Sequence, residues 1–222
     1  KLLKKTKLPL VTTWSGCDLI DHNNSDYIGN IGVYGSRAAN FTIQNSDLVI
    51  CLGSRLDTRV TGGVPKNFAR NAKKIVIDID KFELNKQRGL NIDLKINHDL
   101  QYFLRSLIKS NLNFKSDKNW LSKAKNLKKK YPKIKKSYYS KKNFVNPYVF
   151  MNKLSKLLNK NDIIITDDGA HLTWTMQSFK VKKGQKLFSA FGNSPMGYAL
   201  PASIGASIVK NKKKIICIDG DG

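Results

Sequence analysis

The stretch 47-DLVICLGSRLDTRVTGGVPKNFARNAKKIVIDID-80 contains two apolar runs of one kind, and their reading decides the fold. In DLVICLG (47–53) and KKIVIDID (73–80) apolar residues follow one another without the alternation of a strand that has one wet face. Strands buried on both faces read this way, and they belong to parallel sheets covered by helices. The flanks agree. PLVTTW (9–14) reads as a strand and ANFTIQNS (39–46) has helical spacing. A helix is expected near NFARNA (67–72), and INHDLQYFLRSLIKS (96–110) is an amphipathic helix. Strand and helix in this rhythm predict an open parallel sheet.

The pattern resumes after a charged interval. Residues 111–142 are rich in lysine, with Trp120, Leu121, Ala124, Leu127 and Tyr131 at helical spacing, and read as a helical linker. In NPYVFMNKLSKLLNK (146–160), Asn146 is placed to cap a helix with Pro147 in its first turn. DIIITDDG (162–169) and KIICID (214–219) are strands, with a helix from about Met196 to Val209 between them. The expectation is an α/β chain with two open parallel-sheet domains. They are a Rossmann-like domain over 1–110 and a second over 143–222, joined by 111–142. The closing run KKKIICIDGDG (212–222) puts a buried strand and a turn at the very end. A strand there has nothing to cover it, so the second domain reads as truncated.

Composition narrows the function. A hydrophobic fraction of 41% supports an ordinary core. The net charge of +24 comes from lysines spread along the whole chain, with no helix-turn-helix, zinc-finger or RNP-like pattern. A solvated lysine-rich surface outweighs a nucleic-acid footprint, and no nucleic-acid partner is expected. Cys17, Cys51 and Cys217 form no C-x-x-C pair, which argues against a disulfide framework or a zinc ribbon. No apolar run is long enough to span a bilayer, and the N-terminus lacks the apolar core of a signal peptide. A cytoplasmic location is expected.

Ligands of open α/β sheets bind beyond the carboxyl ends of the strands. After DLVICLG come Ser54, Arg55, Asp57, Arg59 and Gly62-Gly63, and KKIVIDID ends in Asp78 and Asp80. Glycine for close approach, arginines for phosphates and an acid at a neighbouring strand end suit a nucleotide. A surface ion-pair loop explains the same residues equally well. No G-x-G-x-x-G is present, which disfavours a standard Rossmann dehydrogenase. In the second half, DIIITDD runs into Gly169-Ala170-His171, and KIICID runs into Gly220-Asp221-Gly222. Two glycine-bearing strand ends, one with a carboxylate, suit a magnesium diphosphate, since Mg²⁺ takes one or two carboxylates plus phosphate oxygens. Asp221 is the metal ligand this reading selects, and Asp219 belongs to the strand end.

Three separated stretches, in order, resemble the thiamine-diphosphate enzymes of the acetolactate synthase-like branch. IICIDGDG (215–222) is similar to the opening of that family's diphosphate motif, NSPMGYALPASIGA (193–206) to its G-T-M-G-F-G-L-P-A-A-I-G-A, and DDGAHLTW (167–174) to its G-Q-H-Q-x-W. IGVYGSRAANFTIQNSDLVICLGSRLDTRVTGG (31–63) with KKIVIDID resembles its central domain. The resemblance covers essentially the whole chain. It implies the central domain and the start of the diphosphate-binding domain. The family's pyrimidine-binding domain, which carries the cofactor-activating glutamate, and its second magnesium side chain lie outside these residues.

The resemblance implies a thiamine-diphosphate- and Mg²⁺-dependent carboligase of the acetolactate synthase type. Such an enzyme decarboxylates a 2-keto acid such as pyruvate and joins it to a second one, in branched-chain amino acid biosynthesis. By the same resemblance Asp221 binds Mg²⁺, and backbone groups of Gly169, Ala170, His171 and Gly222 hold the diphosphate. The Ser194 carbonyl meets the 4′-amino group and Met196 wedges between the two rings. Gly53, Arg55, Asp57, Arg59, Asp78 and Asp99 correspond to an FAD-contacting region. Tyr34 replaces a histidine common there and many relatives carry no flavin, so FAD stays open. Ala170 and Asn193-Ser194-Pro195 depart from the synthase pattern. That puts the substrate in doubt more than the cofactor, and leaves a simple decarboxylase or a polysaccharide-cluster relative as the alternative. Implied partners are a second copy or three further copies of the chain, and a regulatory subunit.

Overall fold

In the computed structural model, the described residues are 2–86, 88–110, 117–140, 143–211 and 214–221. In chain order the elements are α1 (Leu2–Thr6), β1 (Leu10–Thr12), β2 (Tyr27–Asn30), α2 (Arg37–Gln44), β3 (Leu48–Leu52), α3 (Thr58–Thr61), β4 (Lys73–Asp78), α4 (Lys81–Asn85), β5 (Leu94–Asn97) and α5 (Leu100–Lys109). They continue with α6 (Lys118–Lys130), α7 (Pro147–Leu157), β6 (Ile163–Thr166), α8 (Ala170–Ser178), β7 (Lys186–Phe188), α9 (Ala199–Val209) and β8 (Ile215–Ile218). The chain folds into two compact units, Lys1–Val11 with Ile31–Tyr131, and Thr12–Asn30 with Pro132–Gly222. The α/β class with open parallel sheets holds.

In the first unit the order β3-β4-β5 is wholly parallel, with Leu48 opposite Lys73 and Ile75 opposite Leu94. The second apolar run is buried as expected, with Val76 and Ile77 in the core, but the first alternates: Val49 and Cys51 are core, Ile50 between them is exposed, and Leu48 and Leu52 are half-buried, so β3 has one face in the core rather than two. Each buried aliphatic side chain contributes roughly 1.5–3 kcal/mol. The helix within 111–142 is present as α6. It packs within this unit through fully buried Ala124, and Tyr131 just beyond it tilts against Phe41, ring centroids 5.1 Å apart.

Three expectations are corrected here. NFARNA is no α-helix: a 3₁₀ turn at Pro65–Asn67 is followed by turns. Its amides bond three residues back, Phe68 to Pro65 and Ala72 to Ala69 (both 2.9 Å), and Ala69 is left-handed at φ 44°. Residues 96 and 97 are strand, so the following helix begins only at Leu100, where Asp99 caps it. PLVTTW is a strand only over Leu10–Thr12, and Trp14–Gly16 form a 3₁₀ turn.

The second unit has the parallel order β7-β6-β8, with Ile163 opposite both Lys186 and Ile215. Ile164, Leu172, Met176, Phe179, Val181 and Leu187 form its core together with Cys17, which comes from far upstream. A polar network holds Thr12–Asn30 to this unit. Asn30 Nδ2 donates to the Met176 carbonyl (3.0 Å), Thr12 Oγ1 and Tyr27 OH donate to Asn30 Oδ1, and the His22 amide donates to Val181 O (3.0 Å). Burial, reinforced by the charge of Asp18, pushes the Cys17 thiol up to about 12. The protonated sulfur donates to Leu187 O at 3.6 Å.

The N-caps divide the helices. For α2 to α7 the capping side chain (Ser36, Asp57, Asp80, Asp99, Asp117 and Asn146) accepts first-turn amides of its own helix. At α8 and α9 the N-cap residues are Gly169 and Tyr198, and neither side chain does so. Both helices begin at the carboxyl edge of the second sheet or are tied to it.

Candidate functional site

The site is built on β6 and β8, which are adjacent and parallel with Thr166 opposite Ile218. The register makes the two chains leave the sheet side by side: Asp167-Asp168-Gly169 from one, Asp219-Gly220-Asp221 from the other. Gly169 has φ 152°. A Cβ there would lie 2.7 Å from His171 Cε1, and one on Gly220 would lie 3.5 Å from the same atom. The imidazole therefore fills the space between two glycines. His171 Nε2 is covered and has no hydrogen-bond partner among the described residues. Ala170 and His171 form the first turn of α8, whose exposed start has no side-chain cap. An uncapped helix N-terminus presents amides suited to phosphate oxygens.

Asp167 went unnoticed in the sequence, and it organises this edge. It is 2% exposed. Its amide donates to the Ile218 carbonyl (2.9 Å), tying the ends of β6 and β8. Its carboxylate accepts from the amides of Gly197 (2.6 Å), Tyr198 (3.1 Å) and Asp168 (2.9 Å). Burial works to raise its pKa. The amides of Asp168 and Gly197, the Asp219 side chain and the Tyr198 amide outweigh that and hold the carboxyl below the usual range. It is an anion serving as a long-range cap for the start of α9. Asp in a T-D-D-G strand end was the only sequence signal, and its partners lie some thirty residues downstream.

The segment held in this way contains Ser194 and Met196. Ser194 is left-handed at φ 50°, and its amide donates to Ala190 O (2.8 Å). Gly197 is left-handed at φ 84°. The helix expected from Met196 starts only at Ala199, because these conformations interrupt it. Met196 is 77% exposed, an apolar side chain standing free between the two anchors. Asp221 is exposed, and no group of three His, Cys, Asp or Glu side chains able to hold a metal occurs among the described residues. Gly222 lies outside the described residues.

The residues selected in the first half gather at the carboxyl edge of β3-β4-β5. Gly53 is left-handed at φ 59° and donates to Ile77 O (2.9 Å), and His98 donates to Asp78 O (3.0 Å). Arg55 pairs with Glu83 at 3.2 Å, together with Arg88 and Lys86. Burial works to raise the Glu83 pKa, and the charges of Arg88, Arg55 and Lys86 lower it below its ordinary value. Asp57 caps α3 and Asp99 caps α5, while Asp78 Oδ1 accepts the Asp80 amide at 2.9 Å. The Arg59 carbonyl accepts from the Val33 amide at 2.8 Å, which ties the arginine loop to the turn before α2. Ser54 Oγ is covered without a partner among the described residues. Glu83 was missed in the sequence, since a lone glutamate in KFELN carries no signal of its three basic partners.

Two family models match successive parts of the chain. The family model "Thiamine pyrophosphate enzyme, central domain" matches residues 1–107, and "Thiamine pyrophosphate enzyme, C-terminal TPP binding domain" matches residues 167–222. The chain is 37% identical to an acetolactate synthase large subunit of Cyanidium caldarium over 221 residues, 97% of this chain and 36% of that protein. It is 33% identical to a probable acetolactate synthase large subunit of Methanococcus aeolicus, over 100% of this chain and 39% of the relative. It is 30% identical to the acetolactate synthase isozyme 2 large subunit of Escherichia coli, again over 100% and 39%. The chain spans a little over a third of the length of these curated relatives. No helix among the described residues is long and apolar enough to cross a membrane. With both domain models matched in order, the chain belongs to the thiamine pyrophosphate enzyme family, where it is similar to the large subunits of acetolactate synthase.

Proposed function

We propose that the protein containing this chain is a thiamine-diphosphate- and Mg²⁺-dependent carboligase of the acetolactate synthase type, acting on pyruvate or a similar 2-keto acid and a second 2-keto acid. The observation that carries this reading is the pair of parallel strand ends, Gly169-Ala170-His171 beside Asp219-Gly220-Asp221, with the uncapped start of α8 between them. Bound thiamine diphosphate supplies a carbon nucleophile and an electron sink for the keto acid. The chain's own residues do the rest. The amides of Gly169, Ala170 and His171 and the backbone of Gly222 hold the diphosphate, and the Asp221 carboxylate holds Mg²⁺. The Ser194 carbonyl would receive the amino group of the pyrimidine, and the exposed Met196 would supply an apolar contact to the rings of the cofactor. The residues fit the group: an exposed helix start without a cap, a glycine at 169 where a side chain would collide with His171, and an exposed hard-oxygen ligand in Asp221.

Full-length protein supplied with thiamine diphosphate, Mg²⁺ and pyruvate is expected to release CO₂ and form acetolactate. CO₂ release with acetaldehyde instead identifies a simple decarboxylase, the alternative that the departures at Ala170 and Asn193-Ser194-Pro195 leave open. No cofactor-dependent loss of pyruvate overturns the reading. The printed name of the relatives, "large subunit", supports a smaller regulatory companion, and assembly as a homodimer or homotetramer in the cytoplasm belongs to the same proposal.

FAD belongs at the carboxyl edge of the first sheet in this reading, against Gly53, Arg55, Asp57, Arg59, Asp78 and Asp99. The covered, unpartnered Ser54 Oγ and the left-handed Gly53 support it. Purified full-length protein should be yellow, and Arg55→Ala with Arg59→Ala should bleach it. A colourless protein that takes up no FAD on reconstitution reduces the arginine loop to a surface ion-pair feature.

A further inference from the structure

We propose that Asp167 is a positioning residue that sets the spacing between the diphosphate half of the site and its ring-binding half. The proposal rests on the thiamine-diphosphate reading above and deepens it. Two observations carry it. First, the Asp167 backbone is fixed to the diphosphate half, because its amide bonds Ile218 O at 2.9 Å and Gly169 follows two residues later. Second, its carboxylate holds the Gly197 and Tyr198 amides at 2.6 and 3.1 Å, immediately after Met196. One buried side chain thus spans from the strand ends to the segment Ser194–Met196.

The alternatives for that segment are weak. α9 has no local cap, Gly197 has no neighbour within 4 Å of a Cβ position, and Met196 is largely exposed. The Ser194 amide is tied upstream to Ala190 at 2.8 Å, so the downstream end depends on Asp167. Helix α9 opens on Tyr198 with φ −72° and ψ −40°, so its first amides point back along the axis and require an acceptor. A carboxylate in that place gives charge-assisted bonds and favours the helix dipole. An amide side chain there would turn a donor toward a donor.

The test separates positioning from general support of the fold. Full-length protein with Mg²⁺ is titrated with thiamine diphosphate and, separately, with inorganic diphosphate, which engages the diphosphate half alone. Asp167→Asn is expected to weaken thiamine diphosphate by roughly 10- to 100-fold, the scale of losing charge-assisted hydrogen bonds. Inorganic diphosphate should bind that variant within about twofold of wild type, since the variant leaves that half in place. Equal losses for both probes, or no loss for either, overturn the proposal. A second pair keeps it decidable if Asp167→Asn does not fold. Tyr198→Ala and Tyr198→Pro both remove the ring, but only proline removes the amide that Asp167 holds, and φ −72° already suits proline. An additional loss of about tenfold for thiamine diphosphate in the proline variant over the alanine variant supports the proposal. Equal affinities overturn it. Wild-type protein that binds inorganic diphosphate but gains nothing from the thiamine part overturns the underlying reading, and the proposal with it.

Discussion

Asp221→Ala is expected to cost the full-length protein its Mg²⁺-dependent binding of thiamine diphosphate, by about 10³-fold or more. Disturbing residues one layer out from a metal commonly costs about 10- to 100-fold, and Asp221 would be a direct ligand. Among the described residues after β8, Asp219 is the other carboxylate, and it is not placed to replace Asp221. Asp219 stands two residues earlier, and its Oδ1 accepts the Gly220 amide at 2.9 Å. Asp167 is buried and committed to Gly197 and Tyr198. Asp219→Ala should therefore retain most of the affinity, losing about tenfold or less through the relaxed strand end. Calorimetric titration with thiamine diphosphate, with Mg²⁺ and with a chelator, measures both variants. Wild-type affinity in the Asp221 variant would remove this carboxylate from the metal site.

The second large effect is expected on stability. Gly32→Ala should destabilise the first unit by about 3 kcal/mol, combining left-handed backbone strain with a backbone collision. Gly32 has φ 116°, and a Cβ there would lie 2.5 Å from the Arg59 carbonyl oxygen. That oxygen cannot retreat at little cost, because it accepts the Val33 amide at 2.8 Å. Nor can Gly32 slide away, since its own amide and carbonyl are both held by the Asn40 side chain, at 3.0 and 2.9 Å. Gly62→Ala is a matched control: φ is 85° there too, but no atom lies within 4 Å of its Cβ position. It should cost about 1–2 kcal/mol, the strain alone. Chemical denaturation of the full-length protein, followed by a probe in this unit, compares the two. Equal losses would mean that the contact with Arg59 yields more easily than its hydrogen bond implies.

Much of the site was legible because its residues sit where a buried strand stops. The runs LVICL and IIIT are apolar without alternation, and the residues after them are displayed at a sheet edge whatever surrounds the domain. The glycines and Asp221 were readable on that ground, and the family resemblance then distributed roles among them. Asp167 was not readable, since an aspartate after a strand looks like a turn residue until its acceptors are met by amides thirty residues away. Glu83 was hidden in the same way. Its partner Arg55 comes from the end of another strand, and nothing in KFELN points to it.

By itself the sequence determined what depends on near neighbours and on burial. It specified the apolar strands β4 and β6 at the centres of the two sheets, the α/β alternation, and the cap of α7, where Asn146 accepts the Tyr148 and Val149 amides and Pro147 opens the helix. Only the tertiary structure decided β2, β5 and β7. The last two are short strands at the edges of their sheets, each paired on one side, and their apolar content is too small for periodicity to show. Only the tertiary structure placed Thr12–Asn30 with the second unit, through Asn30 bonding Met176 and Cys17 entering its core. The physical reason is common to these cases. Burial leaves a periodic trace along the chain, whereas a hydrogen bond between distant residues is chosen by topology, which brings donor and acceptor together only after the strands have paired.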